Sequence, residues 1–174
     1  MAVDPIFEPL QLRSLAVKNR IFRSSISGRF DNYDGSGNLA RINRELKFAR
    51  RGVGAIISSF VPVTIRGRIL PNYATIDRDE RIPFWREVGR RVHEFDCRFI
   101  LQLSHGGRQR DIGGIEFEKG LSSTGDDDPV HGFECKRMTL AQIKETVRGR
   151  SLPAPGAHAK PASTASNRTA PTAT

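Results

Sequence analysis

Two amphipathic helical stretches, each running at once into an apolar strand, constrain this chain more than any other feature. Leu39, Ile42, Leu46, Ala49 and Val53 recur at alternating intervals of three and four, which predicts one face of a helix. Gly52 and Gly54 stop it, and Ala55–Ser59 follows as a strand. Trp85, Val88, Val92 and Phe95 repeat the spacing in a helix started by Pro83, which leads into an apolar run from Arg98 to Leu103. Upstream, Asn19–Ile26 reads as a first buried strand ending in the hydroxyls of Ser24 and Ser25. Strand, helix and strand joined by short connections make parallel strands with a right-handed crossover. Three such strands, each with polar or small residues at its carboxyl end, predict an α/β barrel or an open doubly wound sheet.

The third strand leads directly into His105-Gly106-Gly107-Arg108. Polar side chains where a buried strand ends are well placed for chemistry, because the strand holds them while the loop leaves room for a ligand. Gln102 stands out there. Its amide offers a donor and an acceptor inside an apolar run, and if buried it needs a partner with both. The plainer alternative is that the backbone satisfies Gln102 and the glycines only make a turn.

Elsewhere the pattern is weaker. Ile6–Leu10 begins the ordered part, and Leu12, Leu15 and Val17 alternate loosely, as in a short hairpin or cap. Asp31–Gly37 is loop by composition. Gln109–Met138 is a long loop rich in Gly and Asp, of a length usually functional or disordered. Thr139 then reads as an N-cap with Gln142 completing a capping box, and Leu140, Ile143 and Val147 are expected to face inward.

Composition narrows the function. The net charge of +9 over 174 residues would raise nucleic acid as a partner. Four basic residues and no acid lie in 148–174, so the first 147 residues carry only +5, scattered among acids as on a solvated face. Cys97 and Cys135 have neither metal-ligand nor redox spacing. No apolar run is long enough to cross a membrane, and the N-terminus lacks a signal-peptide pattern. The expectation is a cytoplasmic protein with no nucleic-acid or membrane partner.

Six segments together resemble the Old Yellow Enzyme family, the FMN-dependent NADH:flavin oxidoreductases built on a TIM barrel. They are IFEPLQL at Ile6–Leu12, KNRIFRSS at Lys18–Ser25, GVGAII at Gly52–Ile57, RGR at Arg66–Arg68, LQLSHGGR at Leu101–Arg108 and MTLAQI at Met138–Ile143. Their order and spacing follow the family's N-terminal part along residues 4–147. The resemblance implies an incomplete (β/α)8 barrel of about three βα units, with residues 1–147 as its N-terminal part. It implies FMN as cofactor, NADH or NADPH as reductant, and a small electrophilic molecule, such as an activated alkene, as substrate. Gln102 is then expected to bond the pyrimidine edge of the flavin. Ser24, Ser25 and Ile26 fall where the first strand ends beside it, Ile26 replacing a group that is polar in some relatives. Phe60 falls where a small residue commonly packs by the flavin. His105 and Arg108 belong to the motif; neither is assigned a catalytic role, and holding the loop after the strand is the structural alternative for both. The family's substrate donors, in an H-x-x-[NH]-G-Y segment, have no counterpart here, so the catalytic residues are unknown. A complementing chain is a possible partner, and a basic nucleic-acid-binding protein is the more distant alternative.

The composition breaks near Arg148. Of the 26 residues in Gly149–Thr174, 18 are Ala, Pro, Ser or Thr, and no helical or strand period survives. Residues 148–174 read as a disordered tail or as a stretch out of frame. Read back into codons, with each new codon starting on the third base of the old one, Ala159–Thr174 permits E-A-G-L-D-G-V-E-x-H-G-A-N-G-Y. That string contains the absent motif.

Overall fold

The computed structural model describes residues 4–110 and 119–148. A short hairpin comes first, β1 (Leu10–Gln11) pairing antiparallel with β2 (Ala16–Val17). Then follow β3 (Phe22–Arg23), α1 (Leu39–Ala49), β4 (Ala55–Pro62), α2 (Ile82–His93) and β5 (Arg98–Ser104). These strands form one parallel sheet in the order β3-β4-β5, and their parallel direction is the one predicted from strand, helix and strand joined by short connections.

Local chemistry explains the boundaries. The Asn38 side chain accepts from the amides of Ala40 (3.0 Å) and Arg41 (3.3 Å), capping α1. Pro83 occupies the first turn of α2, where its missing N–H costs nothing. Both helices cover one face of the sheet. Ile42, Leu46 and Ala49 of α1 join Trp85, Val88 and Val92 of α2 over Ile56, Val61 and Cys97. Asn19 fixes the entry to β3: it donates to Gly52 O at 2.7 Å and accepts from Ile21 N at 3.1 Å. Gly54 lies so close that a Cβ there would sit 2.5 Å from Asn19 O.

Four expectations change. The first strand is shorter than Asn19–Ile26: its pairing ends at Arg23↔Ile56, and Ser24–Ile26 leave the sheet exposed. The buried face of α1 is not wholly apolar. Leu39 is exposed, Val53 lies past the helix end, and Arg41 and Glu45 are buried instead. The long loop carries a small parallel pairing of β6 (Gly120–Ser122) with β7 (Cys135–Arg137). The last helix, α3 (Leu140–Arg148), does have its capping box, Thr139 N donating to Gln142 Oε1 at 2.9 Å and Gln142 N to Thr139 Oγ1 at 3.2 Å. However, Leu140 and Val147 are exposed, because α3 turns its Gln142–Thr146 side toward the body and no described element covers the other. Of the tail expected over 148–174, Arg148 instead closes α3, and the rest lies outside the described residues.

Candidate functional site

Parallel strands bring their carboxyl ends to one edge, so the ends of β3, β4 and β5 lie side by side. Phe99 and Leu101 pack into the helix-covered core, so the alternating Ile100 and Gln102 point to the opposite face. Ile57 is the register partner of Ile100, and Phe60 is the partner of Gln102. Between them β4 spends two residues, Ser58 and Ser59, against the single Leu101. This is a β-bulge. The Ser58 hydroxyl fills the gap in the ladder, accepting from Gln102 N at 2.9 Å and donating to Ser59 O at 2.8 Å.

The Gln102 side chain is exposed, and its carboxamide has no hydrogen bond among the described residues. The buried-and-satisfied alternative therefore does not hold. Phe60 is half-buried and meets Tyr73 edge to face, with ring centroids 5.5 Å apart. The Tyr73 hydroxyl in turn bonds Ser27, joining the segment after β3 to the aromatic residue of β4.

Ser24, Ser25 and Ile26 form an exposed shelf, and Ile26 is 49% exposed. Arg23 beneath them is buried. Its guanidinium donates to Ile57 O at 3.1 Å and reaches Ile26 O at 3.5 Å, while Glu45 stands 3.4 Å away. Glu45 also meets Arg41 at 3.5 Å, and Arg41 pairs with Asp31, all of them buried. Asp31 accepts from Ala74 N at 3.1 Å. Burial pushes the Arg23 pKa down, and Glu45 opposes it.

The His-Gly-Gly-Arg loop follows β5 directly. His105 Nδ1 accepts from Gly107 N at 3.1 Å, Gly106 N donates to Gly67 O at 2.8 Å, and Gly107 adopts φ +62°. Arg108 reaches Asp127 O at 3.3 Å and Thr124 Oγ1 at 3.5 Å, contacts within the long loop that follows. Beyond lies a cleft of about 560 Å³ between Thr64–Arg66, His105, Leu121 and the Gln142 side of α3. Among the described residues no cluster of three or more His, Cys, Asp or Glu could hold a metal, and no helix is long and apolar enough to cross a membrane.

The structure thus places Ser24, Ser25, Ile26, Phe60 and Gln102 at one sheet edge, with Phe60 and Gln102 on the same face. Sequence reasoning missed Arg23, Ser58 and Tyr73. Two of the signals were present: an arginine inside an apolar strand run, and Glu45 on the inward side of a helix, out of pattern and opposite in charge.

Comparison with known proteins agrees with this fold. The model of the NADH:flavin oxidoreductase / NADH oxidase family matches residues 5–151. The chain is 27% identical over 150 residues to the N,N-dimethylglycine/sarcosine dehydrogenase of Chromohalobacter salexigens, covering 84% of this chain and 22% of that protein. It is 28% identical over 154 residues to a Geobacillus NADPH dehydrogenase, covering 82% and 41%. The solved Old Yellow Enzyme of Pichia sp. AKU4542 superposes with a TM-score of 0.73 at 19% identity, covering 83% of this chain and 40% of that one. That last likeness is one of fold. The chain spans well under half the length of these curated relatives.

Proposed function

The chain belongs to the NADH:flavin oxidoreductase / NADH oxidase family, and we propose that it forms the first strands of an FMN-binding barrel and one wall of the cofactor site. Gln102 carries the proposal. Its carboxamide is solvent-facing and without a described partner, so it can offer a donor and an acceptor side by side to a heterocycle edge that presents both. The residues present fit the flavin in this respect. Ser24, Ser25 and Ile26 border the same edge of the sheet, and Phe60 offers an aromatic surface on the Gln102 face.

A bound FMN would supply hydride transfer from NADH or NADPH to an electrophilic carbon, such as that of an activated alkene. The protein's part is to orient the ring and exclude water around it. Polarising a substrate carbonyl or nitro oxygen needs further fixed donors, and the 174 residues contain no H-x-x-[NH]-G-Y segment. We therefore assign little or no turnover to this chain by itself. A second reading, a complementing chain that completes the barrel, is supported by the exposed Leu103, Leu140 and Val147, at 60%, 75% and 81%.

The test is titration of the purified chain with FMN, followed by flavin fluorescence, beside Gln102→Leu. Saturable binding weakened about tenfold by the substitution is expected, the loss of a hydrogen-bonded pair being worth about that much. Equal affinity in both proteins would overturn the role of Gln102, and no binding by the unmodified chain would overturn the site.

A further inference from the structure

β3 and β4 stay hydrogen-bonded as strands only as far as Arg23↔Ile56. Beyond that point the shelf at Ser24–Ile26 leaves the sheet, yet it must keep a fixed distance from Phe60 if the two are to border one ligand. The Arg23 guanidinium spans this opening. One arm donates to Ile57 O at 3.1 Å, and the other reaches Ile26 O at 3.5 Å. Ile57 is the last residue in register before the bulge that delivers Phe60. The carbonyls it contacts thus belong to the shelf and to the residue that precedes the bulge.

Holding an arginine there is costly, because the position is 6% exposed and Glu45, its counter-charge, is fully buried. A buried ion pair is seldom worth more to stability than well-packed apolar residues of the same volume. Arg23 Nε and Glu45 Oε2 lack hydrogen-bond partners in the described structure, so the pair is incompletely satisfied as well. Departures of this kind from local consistency collect where a fold serves a site. The Phe48 ring lies under the guanidinium, its centroid 4.9 Å from Arg23 Cζ, a cation-π contact that favours the charged side chain in this place. Glu45 is tied in turn to Arg41 and Asp31, which reach the backbone at Ala74, next to Tyr73.

We propose that Arg23 is a positioning residue: with Glu45 as its counter-charge, it clamps the carbonyls of Ile26 and Ile57 and so sets the spacing of the Ser24–Ile26 shelf from Phe60 and Gln102. The clamp rests on the flavin-site reading for its purpose but not for its existence. It touches neither cofactor nor substrate, and acts through the backbone it holds.

The experiment uses the full chain and compares it with Arg23→Met/Glu45→Leu and with Arg23→Lys. The double variant removes both charges together and leaves no uncompensated buried ion. The lysine variant keeps the charge but has no planar fork to reach two carbonyls. Backbone ¹⁵N order parameters at Ser24–Ser27, carbonyl ¹³C shifts at Ile26 and Ile57, and FMN affinity are measured on each. The shelf is expected to be rigid in the parent, with an order parameter of about 0.85, and to fall below about 0.6 in the double variant. Both carbonyl shifts should move, FMN affinity should drop about tenfold, and the lysine variant should lie between. Unchanged order and shifts in both variants would overturn the clamp. If the shelf loosens as expected while the parent itself binds no FMN, the clamp stands and the flavin reading falls.

Discussion

Phe60 stands opposite Gln102 only because β4 spends two residues where β5 spends one. At unchanged chain length, unbroken pairing from Ile57 onward would set Phe60 against Leu103, on the face that carries Phe99 and Leu101 and opposite to that of Gln102. The Ser58 hydroxyl supports the irregularity by accepting the Gln102 amide at 2.9 Å.

Ser58→Ala should therefore leave the part-buried Gln102 amide without its acceptor. A loss of about 1–2 kcal/mol in unfolding free energy is expected, measured by urea denaturation. A variant as stable as the parent would show that the hydroxyl does not hold the bulge.

Gly54→Ala should destabilise the chain by about 1–3 kcal/mol through overpacking. The added methyl would sit 2.5 Å from Asn19 O, which is backbone and cannot swing aside. Thermal denaturation should place this variant clearly below one at the exposed Arg51. Equal melting temperatures would contradict the tight approach of Asn19 to the Gly52–Gly54 turn.

How far these features could be read from the chain differs by element. The inward face of α2 and most of that of α1 were legible because their apolar residues repeat with the helical period, and β4 and β5 were legible as the apolar runs that follow them. Gln102 was legible as the one polar side chain within an apolar run. The bulge was not, since Ser58 and Ser59 are two small polar residues with no periodic signature. Tyr73 was hidden because its contacts, to Ser27 and Phe60, are made by folding and not by spacing. Leu140 and Val147 were misread as inward-facing, since periodicity says which residues share a face but not whether anything covers it.

The His105 imidazole gives a pH dependence. Burial holds its pKa below the ordinary value, and the nearby Arg110 guanidinium acts in the same direction. As pH falls, the unfolded chain takes up this proton first, near about pH 6.5. His105 therefore contributes stability that is complete above that pH and is lost as pH drops toward the lower folded value. The urea midpoint should decline as pH falls through about 6.5, and His105→Asn should reduce that decline. An undiminished slope in the variant would rule out His105 as its source.

The codons of 149–174 offer a prediction independent of folding. We propose that this stretch is read one base out of frame. Beyond the E-A-G-L-D-G-V-E-x-H-G-A-N-G-Y string, the same shift lets Ser151–Ala159 spell A-A-R-A-R-R-A-R. That is a helix-forming run where the present frame has prolines at 153 and 155. Resequencing from fresh DNA should give third bases that spell both strings. Codons unable to do so would establish the present frame.

The surplus residue of β4 also bears on how this strand tolerates changes of length. Removing either Ser58 or Ser59 would leave one residue opposite Leu101, restore an even ladder and keep Phe60 facing Gln102. A deletion anywhere from Phe60 to Pro62 would instead shift the residues after it relative to β5 and turn their side chains to the wrong face. Within β4, the bulge is thus the place where a lineage can lose a codon and keep the alignment of its strand ends.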